Sequence, residues 1–298
     1  MRVLVVGATG YLGGAVALRL MREGHTVTAL VRDVSKAAPL AQAGLALSHG
    51  SLEDEAALKQ AIAGVDAVIN AADSDHAAGI DAILAAVADT NKTFIHTSGI
   101  SVTGDRAAGA GGGIVREEST PFEPIPERAA RYAIDARVRA AAQRGCRPIV
   151  MCCPLVYGPP GWPGRESVQL PHLVQDARAQ KVARYVGSGQ ARWSRCHIQD
   201  IAEAYAMALI NGRAGSLYYP ESGEQSWREL AERISAVLGV PTATWSLEEA
   251  IAAWEPRALW TYSSNARTRG VLVRKELGWT PRIDDVDGDI RRLAAQLS

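Results

Sequence analysis

The chain has 298 residues, 47% of them hydrophobic and 21% charged, with 32 basic side chains against 32 acidic ones. That balance suits a protein with one large or two modest cores, and the zero formal net charge speaks against a nucleic-acid footprint, which takes a basic excess or stripe. Cys146, Cys152, Cys153 and Cys196 show no C-x-x-C spacing, and no window approaches the roughly 20 apolar residues of a membrane span, so a zinc site, a disulfide framework and a bilayer helix are all unexpected.

The first element is a strand at 2–6 that breaks at Gly7. Gly10 and Gly13 complete a G-x-x-G-x-x-G spacing that opens into a helical pattern over 12–23. This reads as strand, tight turn and helix: a Cβ at the turn would obstruct positive φ or the close approach of a phosphate. The first amides of the following helix are unpaired and form an anion site. A second strand at 26–31 stands at the distance a βαβ unit requires.

Strands are then expected at 45–48, 67–70, 93–97 and 148–153, alternating with helices at 35–43, 54–63, 75–89 and 127–144. The strands lack clean polar alternation and so are covered on both faces, which makes the fold α/β, a doubly wound parallel sheet. Between 97 and 127 the spacing widens, and Gly109, Gly111, Gly112 and Gly113 precede Pro121, Pro124 and Pro126. This segment is either a functional lid or an unstructured connector.

After Pro154 the composition changes. Pro159, Pro160, Trp162, Pro163 and Gly164 form a rigid loop before a helix at 166–180, and all seven tryptophans lie at or beyond Trp162. A smaller, aromatic-rich region packed on the first completes a cleft, unless the rings only fill a core. The expected division is 1–157, with 182–212 returning to it, against 158–181 and 213–298 for the substrate-binding region.

Several stretches in order carry a family resemblance: Thr9-Gly10-Tyr11-Leu12-Gly13, Asn70-Ala71-Ala72, Phe94-Ile95-His96-Thr97-Ser98-Gly99, Glu118-Ser119-Thr120-Pro121, Pro154-Leu155-Val156-Tyr157-Gly158-Pro159, Cys196-His197-Ile198-Gln199-Asp200 and Leu277-Gly278-Trp279-Thr280-Pro281. Together they resemble the extended short-chain dehydrogenase/reductase family, in its epimerase/dehydratase-like and atypical branches. The resemblance implies a Rossmann domain that binds NAD or NADP, with a smaller C-terminal α/β substrate domain. Gly7, Thr9, Gly10, Tyr11, Leu12 and Gly13 would hold the pyrophosphate, and Ser51 and Leu52 would flank adenine. Asn70, Ala71 and Ala72 would line the cleft, with Pro154, Leu155 and Val156 near the nicotinamide. Arg32 lies nineteen residues beyond Gly13, where an acidic residue would bond a ribose 2′-hydroxyl. A guanidinium there favours a 2′-phosphate, so NADP is the expected cofactor; NAD is the alternative if Asp33 is the reader.

The same resemblance implies catalysis by a tyrosine with a lysine one turn later, supported by a serine or threonine after the fifth strand. Here the helix at 127–144 holds one tyrosine, Tyr132, followed four residues on by Ala136, and none of Lys36, Lys59, Lys92, Lys181 and Lys275 falls in it. Arg128 precedes Tyr132 by one turn. The serine position holds Gly99, with Ser98 and Ser101 around it. Tyr132 and Ser98 are the candidate catalytic residues; the alternative for Tyr132 is packing against the sheet. His197 ahead of Asp200 reads as a packing and hydrogen-bonding pair, His172 and Trp162 as substrate contacts, and no motif suggests a metal. The expected activity is NADPH-dependent reduction of a small carbonyl compound by a cytoplasmic monomer or homodimer, with no nucleic acid or membrane partner. Pairing would use the helices at 75–89 and 127–144. A sugar-nucleotide epimerase or dehydratase, and a catalytically silent NADP(H)-binding regulatory protein, are the alternatives.

Overall fold

The computed structural model describes residues 1–35, 37–161 and 165–296. Lys36, Trp162, Pro163 and Gly164 lie outside them, so the expected substrate contact of Trp162 does too. Seven strands build the central sheet: β1 (Arg2–Val6), β2 (Thr26–Val31), β3 (Ala46–His49), β4 (Ala67–Asn70), β5 (Thr93–Gly99), β7 (Arg147–Cys153) and β11 (Ser216–Tyr218). A short strand, β6 (Val115–Glu117), falls outside that sheet. The order is β3-β2-β1-β4-β5-β7-β11, every pair parallel. β1 lies between β2 and β4, with Val3 in register with Val27 on one side and Ala67 on the other. The chain order reverses there, and ligands of open α/β sheets bind outside the carboxyl ends of the strands at such a point.

Successive side chains alternate across the sheet, which creates two cores. Leu4, Val68, Phe94 and Val150 face α3 (Glu55–Ala63), α4 (Ala77–Val87) and α5 (Ala129–Ala140). Val3, Val5, Ile69, Ile95 and Met151 face α1 (Tyr11–Arg22) and α7 (Ile198–Asn211). α2 (Ala38–Gln42) is shorter than the expected 35–43 helix, and α5 is shorter than 127–144 because single 3-10 turns precede and follow it. β11 has only three residues and leaves no periodic pattern to read.

The remaining strands form small sheets. β8 (Leu155–Tyr157) pairs with β10 (Arg192–His197), which also pairs with β12 (Glu224–Ser226). β9 (Ala183–Val186) pairs with β13 (Thr242–Trp245), and β6 pairs with β14 (Arg267–Arg269). Around them stand α6 (Gln169–Gln180), α8 (Trp227–Leu238), α9 (Leu247–Trp254), α10 (Val271–Leu277) and α11 (Val286–Gln296). Trp193, Trp227, Trp254, Tyr262 and His172 pack ring against ring, so His172 is part of an aromatic core.

The glycine-rich segment is not an unstructured connector. β6 ties it to β14, Gly109 donates its amide to Ser263 O at 2.7 Å, and Asp105 accepts from the Asn265 amide at 2.8 Å. A Cβ on Gly109 would lie 2.0 Å from Val186 O, so only glycine lets these backbones meet. The four cysteines are free and buried. Among the described residues no helix is long and apolar enough to cross a membrane, and no group of three His, Cys, Asp or Glu could hold a metal ion.

Candidate functional site

The turn after β1 is set by backbone crowding. Gly7 has φ +87°, and a Cβ there would stand 2.7 Å from Ala71 C and Ala72 N at the end of β4. Gly13 has an ordinary φ, yet its Cβ would lie 2.3 Å from Gly7 O, because α1 rises directly over the turn. Gly10 closes that turn by donating its amide to Gly7 O at 2.9 Å. Among the described residues the first turn of α1 has neither a side-chain cap nor an acidic residue, so its amides and positive dipole end remain for an anion.

A cleft of about 370 Å³ opens at this point. Gly7, Thr9 and Gly10 line it from the glycine turn, Ala71 and Ala72 from the end of β4, and Arg32, Ser51 and Leu52 from the ends of β2 and β3. Arg32 is exposed. Its neighbour Asp33 accepts at Oδ1 from Ser35 N at 2.9 Å and Ser35 Oγ at 2.6 Å, the side-chain turn to which Asp is suited. Ser51 Oγ donates to Glu53 at 3.0 Å. Asn70 is buried beneath the wall, its Oδ1 accepting from Ala72 N at 3.2 Å.

Tyr11, Leu12 and Gly13 sit behind the lining, in α1. Tyr11 donates its hydroxyl to Gly158 O at 2.8 Å, which ties the loop after β8 to the start of that helix. Pro154, Leu155 and Val156 also lie outside the lining; Pro154 follows Cys153, the register partner of Gly99, so they occupy the same carboxyl edge of the sheet as Ser98. Glu53, Asp73, His76 and Arg165 line the cleft without having been singled out in the sequence. His76 had one local signal, as the cap of α4, accepting from Gly79 N at 3.0 Å. Arg165 had none, since it arrives from a loop far along the chain.

At the end of β5 the structure brings Ser98 together with Asp135 rather than with Tyr132. Ser98 donates its hydroxyl to Asp135 Oδ2 at 2.7 Å. A helix turns about 100° per residue, so Arg131 and Asp135 share its inner face while Tyr132 and Ala136 lie on the flank. Tyr132 is 37% exposed, with its ring edge-on to Phe122 at 5.1 Å between centroids. Arg128 stacks over the Trp260 ring, 4.5 Å from its centroid.

Arg131 is clamped by Asp75: Nε donates to Oδ1 at 2.8 Å, and Nη2 donates to Oδ2. Nη1 points to Ser101 Oγ at 3.4 Å. Beneath the clamp, His96 Nε2 lies 3.6 Å from Asp135 Oδ1, both side chains buried. Burial pushes the Asp135 carboxyl up to about 7, against the Ser98 bond and Arg131, which pull it down. Burial, with Arg131 adding to it, holds His96 down to about 4. Both groups are therefore neutral between about pH 4 and 7, and Asp135 begins to ionise as pH reaches neutrality.

His197 caps α7 by accepting from Gln199 N at 3.2 Å. Asp200 Oδ2 accepts from Arg282 N at 3.1 Å and Ile283 N at 2.9 Å, and Asp200 O accepts from Trp279 Nε1 at 2.9 Å. These contacts fasten the C-terminal segment to α7.

A profile described as the NAD dependent epimerase/dehydratase family matches residues 3–218. An uncharacterised protein of Schizosaccharomyces pombe is 29% identical over 293 residues, 94% of this chain and 95% of that one. The 2-alkyl-3-oxoalkanoate reductase of Stenotrophomonas maltophilia is 31% identical over 262 residues, 81% of this chain and 77% of its own. The solved dTDP-glucose 4,6-dehydratase of Bacillus anthracis, in complex with NAD, superposes with a TM-score of 0.78 at 18% identity over 100% of this chain and 96% of that one, a likeness of fold.

Proposed function

The chain belongs to the NAD dependent epimerase/dehydratase family, and from that premise we propose that it is an NADPH-dependent reductase of a small carbonyl compound. The observation that carries the cofactor choice is the pair Arg32 and Asp33: the guanidinium lines the cleft at the end of β2, while Asp33 Oδ1 is turned to Ser35. A carboxylate would bond a ribose 2′-hydroxyl there, whereas a guanidinium matches a phosphate.

The residues present fit a dinucleotide. Gly7, Thr9 and Gly10, with the uncapped start of α1, receive the pyrophosphate, and Tyr11, Leu12 and Gly13 hold that helix in place. Ser51 and Leu52 flank the adenine, and Asn70, Ala71 and Ala72 form the wall toward the nicotinamide end, beside Pro154, Leu155 and Val156. When bound, the dinucleotide would supply a hydride to the carbonyl carbon, and a water molecule the proton that completes the alcohol. The reductase name of the relative from Stenotrophomonas maltophilia supports this reaction class. The buried free cysteines suit a reducing cytoplasm.

The test is a titration with NADPH and NADH, followed by NADPH oxidation over a panel of ketones and aldehydes. Tighter binding of NADPH by tenfold or more, with turnover of at least one carbonyl compound, is the expected result. Equal affinity would overturn the NADP assignment. Tightly resident NAD that copurifies and does not exchange would favour a sugar-nucleotide epimerase or dehydratase, and binding without turnover a regulatory protein.

A further inference from the structure

We propose that Arg131, together with Ser101, binds the oxygen of the substrate that is polarised at the end of β5. The identity of that oxygen as a carbonyl rests on the reductase reading above; the site itself rests on geometry.

A guanidinium has five N–H donors in a rigid plane. Asp75 takes Nε and one hydrogen of Nη2 as a two-point clamp, which fixes that plane and leaves the second Nη2 hydrogen and both Nη1 hydrogens. Nη1 is directed at the carboxyl edge of the sheet. There Ser101 Oγ stands 3.4 Å away, and a Cβ built on Gly99 would lie 3.6 Å from Nη1 and 3.9 Å from Cys153 O. Because residue 99 is glycine, that volume is not filled by its own side chain. An oxygen placed over Gly99 would receive a spare Nη1 hydrogen and, by rotation of the hydroxyl, the Ser101 proton.

Asp75, which clamps Arg131, stands in sequence between Asp73 and His76, both on the wall of the dinucleotide cleft. The Arg131 side chain is 18% exposed, which shields the cation from water while leaving it reachable. Preorganised donors in such a place strengthen as charge develops on an oxygen. Arg131 holds that charge but supplies no proton, since a guanidinium stays protonated in proteins. Asp135, one turn on along the same face, is a positioning residue: its bond to Ser98 holds the strand end against α5.

The site is tested first without any turnover. In ¹⁵N-labelled protein the Arg131 Nε–H resonance is assigned by its loss in Arg131→Lys, and sodium acetate is titrated against sodium chloride at constant ionic strength, with and without NADP. A saturable shift of the Arg131 signal, specific to acetate, is expected; an unmoved Arg131 signal overturns the proposal whatever the cofactor does. In the second arm, Arg131→Lys and Arg131→Met should lose about 100-fold or more in kcat/KM while NADPH affinity stays within twofold. Retention of kcat/KM within threefold in Arg131→Met would likewise overturn it. A wild-type protein that shifts with acetate but ignores NADPH would refute the reductase reading and leave the oxyanion site standing.

Discussion

Ser98 donates its hydroxyl to Asp135 Oδ2 at 2.7 Å, and that bond joins the end of the fifth strand to the inner face of the helix above it. Asp135 and His96 form a buried pair in which both groups are neutral between about pH 4 and 7, and their opposite displacements make a pH signature. The Asp135 carboxyl rises to about 7 from an unfolded value near 4, so its contribution to stability is complete below that unfolded value and is lost as pH rises through about 7. His96 falls to about 4 from an unfolded value near 6.5, so its contribution is complete above the unfolded value and is lost as pH falls toward about 4. Between about 4 and 6.5 the two slopes oppose each other. Asp135→Asn should expose the histidine slope, losing roughly 3 kcal/mol as pH drops across that window, while His96→Gln should lose a similar amount as pH rises from about 4 to 7. Urea midpoints at half-unit pH steps measure both, and parallel profiles for the two variants would refute the neutral pair.

Tyr132→Phe is expected to leave kcat/KM, NADPH affinity and stability nearly unchanged, within about twofold and 0.5 kcal/mol. The hydroxyl lies on the outer flank of α5, and phenylalanine keeps the edge-on contact with Phe122. A loss of tenfold or more in kcat/KM would place the tyrosine in the chemistry and displace Arg131 from it.

The difference between these two readings of one helix shows which part of the site could be read from the sequence. The glycine turn was legible because its constraint is local: Gly7 and Gly13 are required by backbone atoms within a few residues or on the adjoining strand. The seven-stranded sheet was legible through its runs of buried aliphatic residues, except for β11, which is too short to show a period. The face of α5 was not legible. A one-residue change in register turns a helix by about 100°, and the register here follows from the 3-10 turn Pro126–Arg128 that launches it. The partner that marks Arg131, Asp75, lies 56 residues away in sequence. Arg165 reaches the cleft by tertiary folding alone, so its motif is invisible.

Arg32→Asp should reverse the cofactor preference. Removing the guanidinium deletes charge-assisted bonds to a 2′-phosphate, and the new carboxylate repels that phosphate while accepting from a 2′-hydroxyl. NADPH affinity is expected to fall by about 10- to 100-fold, a charge-assisted bond's worth, and NADH affinity to rise. The NADPH effect should shrink as salt is added, because Arg32 is exposed. Equal weakening of both dinucleotides, measured by fluorescence titration, would place Arg32 on the pyrophosphate instead.

Gly13→Ala and Gly64→Ala separate steric requirement from glycine entropy. At Gly13 the added carbon would meet Gly7 O at 2.3 Å and Gly7 C at 2.7 Å, and neither backbone atom can swing aside as a side chain would. Helix α1 must lift away from the turn, at about 1–3 kcal/mol, and the displacement moves the amides that face the pyrophosphate. NADPH affinity should therefore fall by tenfold or more, together with a lower urea midpoint. At Gly64, the cap of α3, φ is −85° and no heavy atom lies within 4 Å of the added carbon. Alanine there restricts only the unfolded chain, so Gly64→Ala should raise stability by about 0.4–1 kcal/mol and leave dinucleotide affinity unchanged. If Gly13→Ala instead behaved like Gly64→Ala, the close packing of α1 on the turn would not be what shapes the phosphate site.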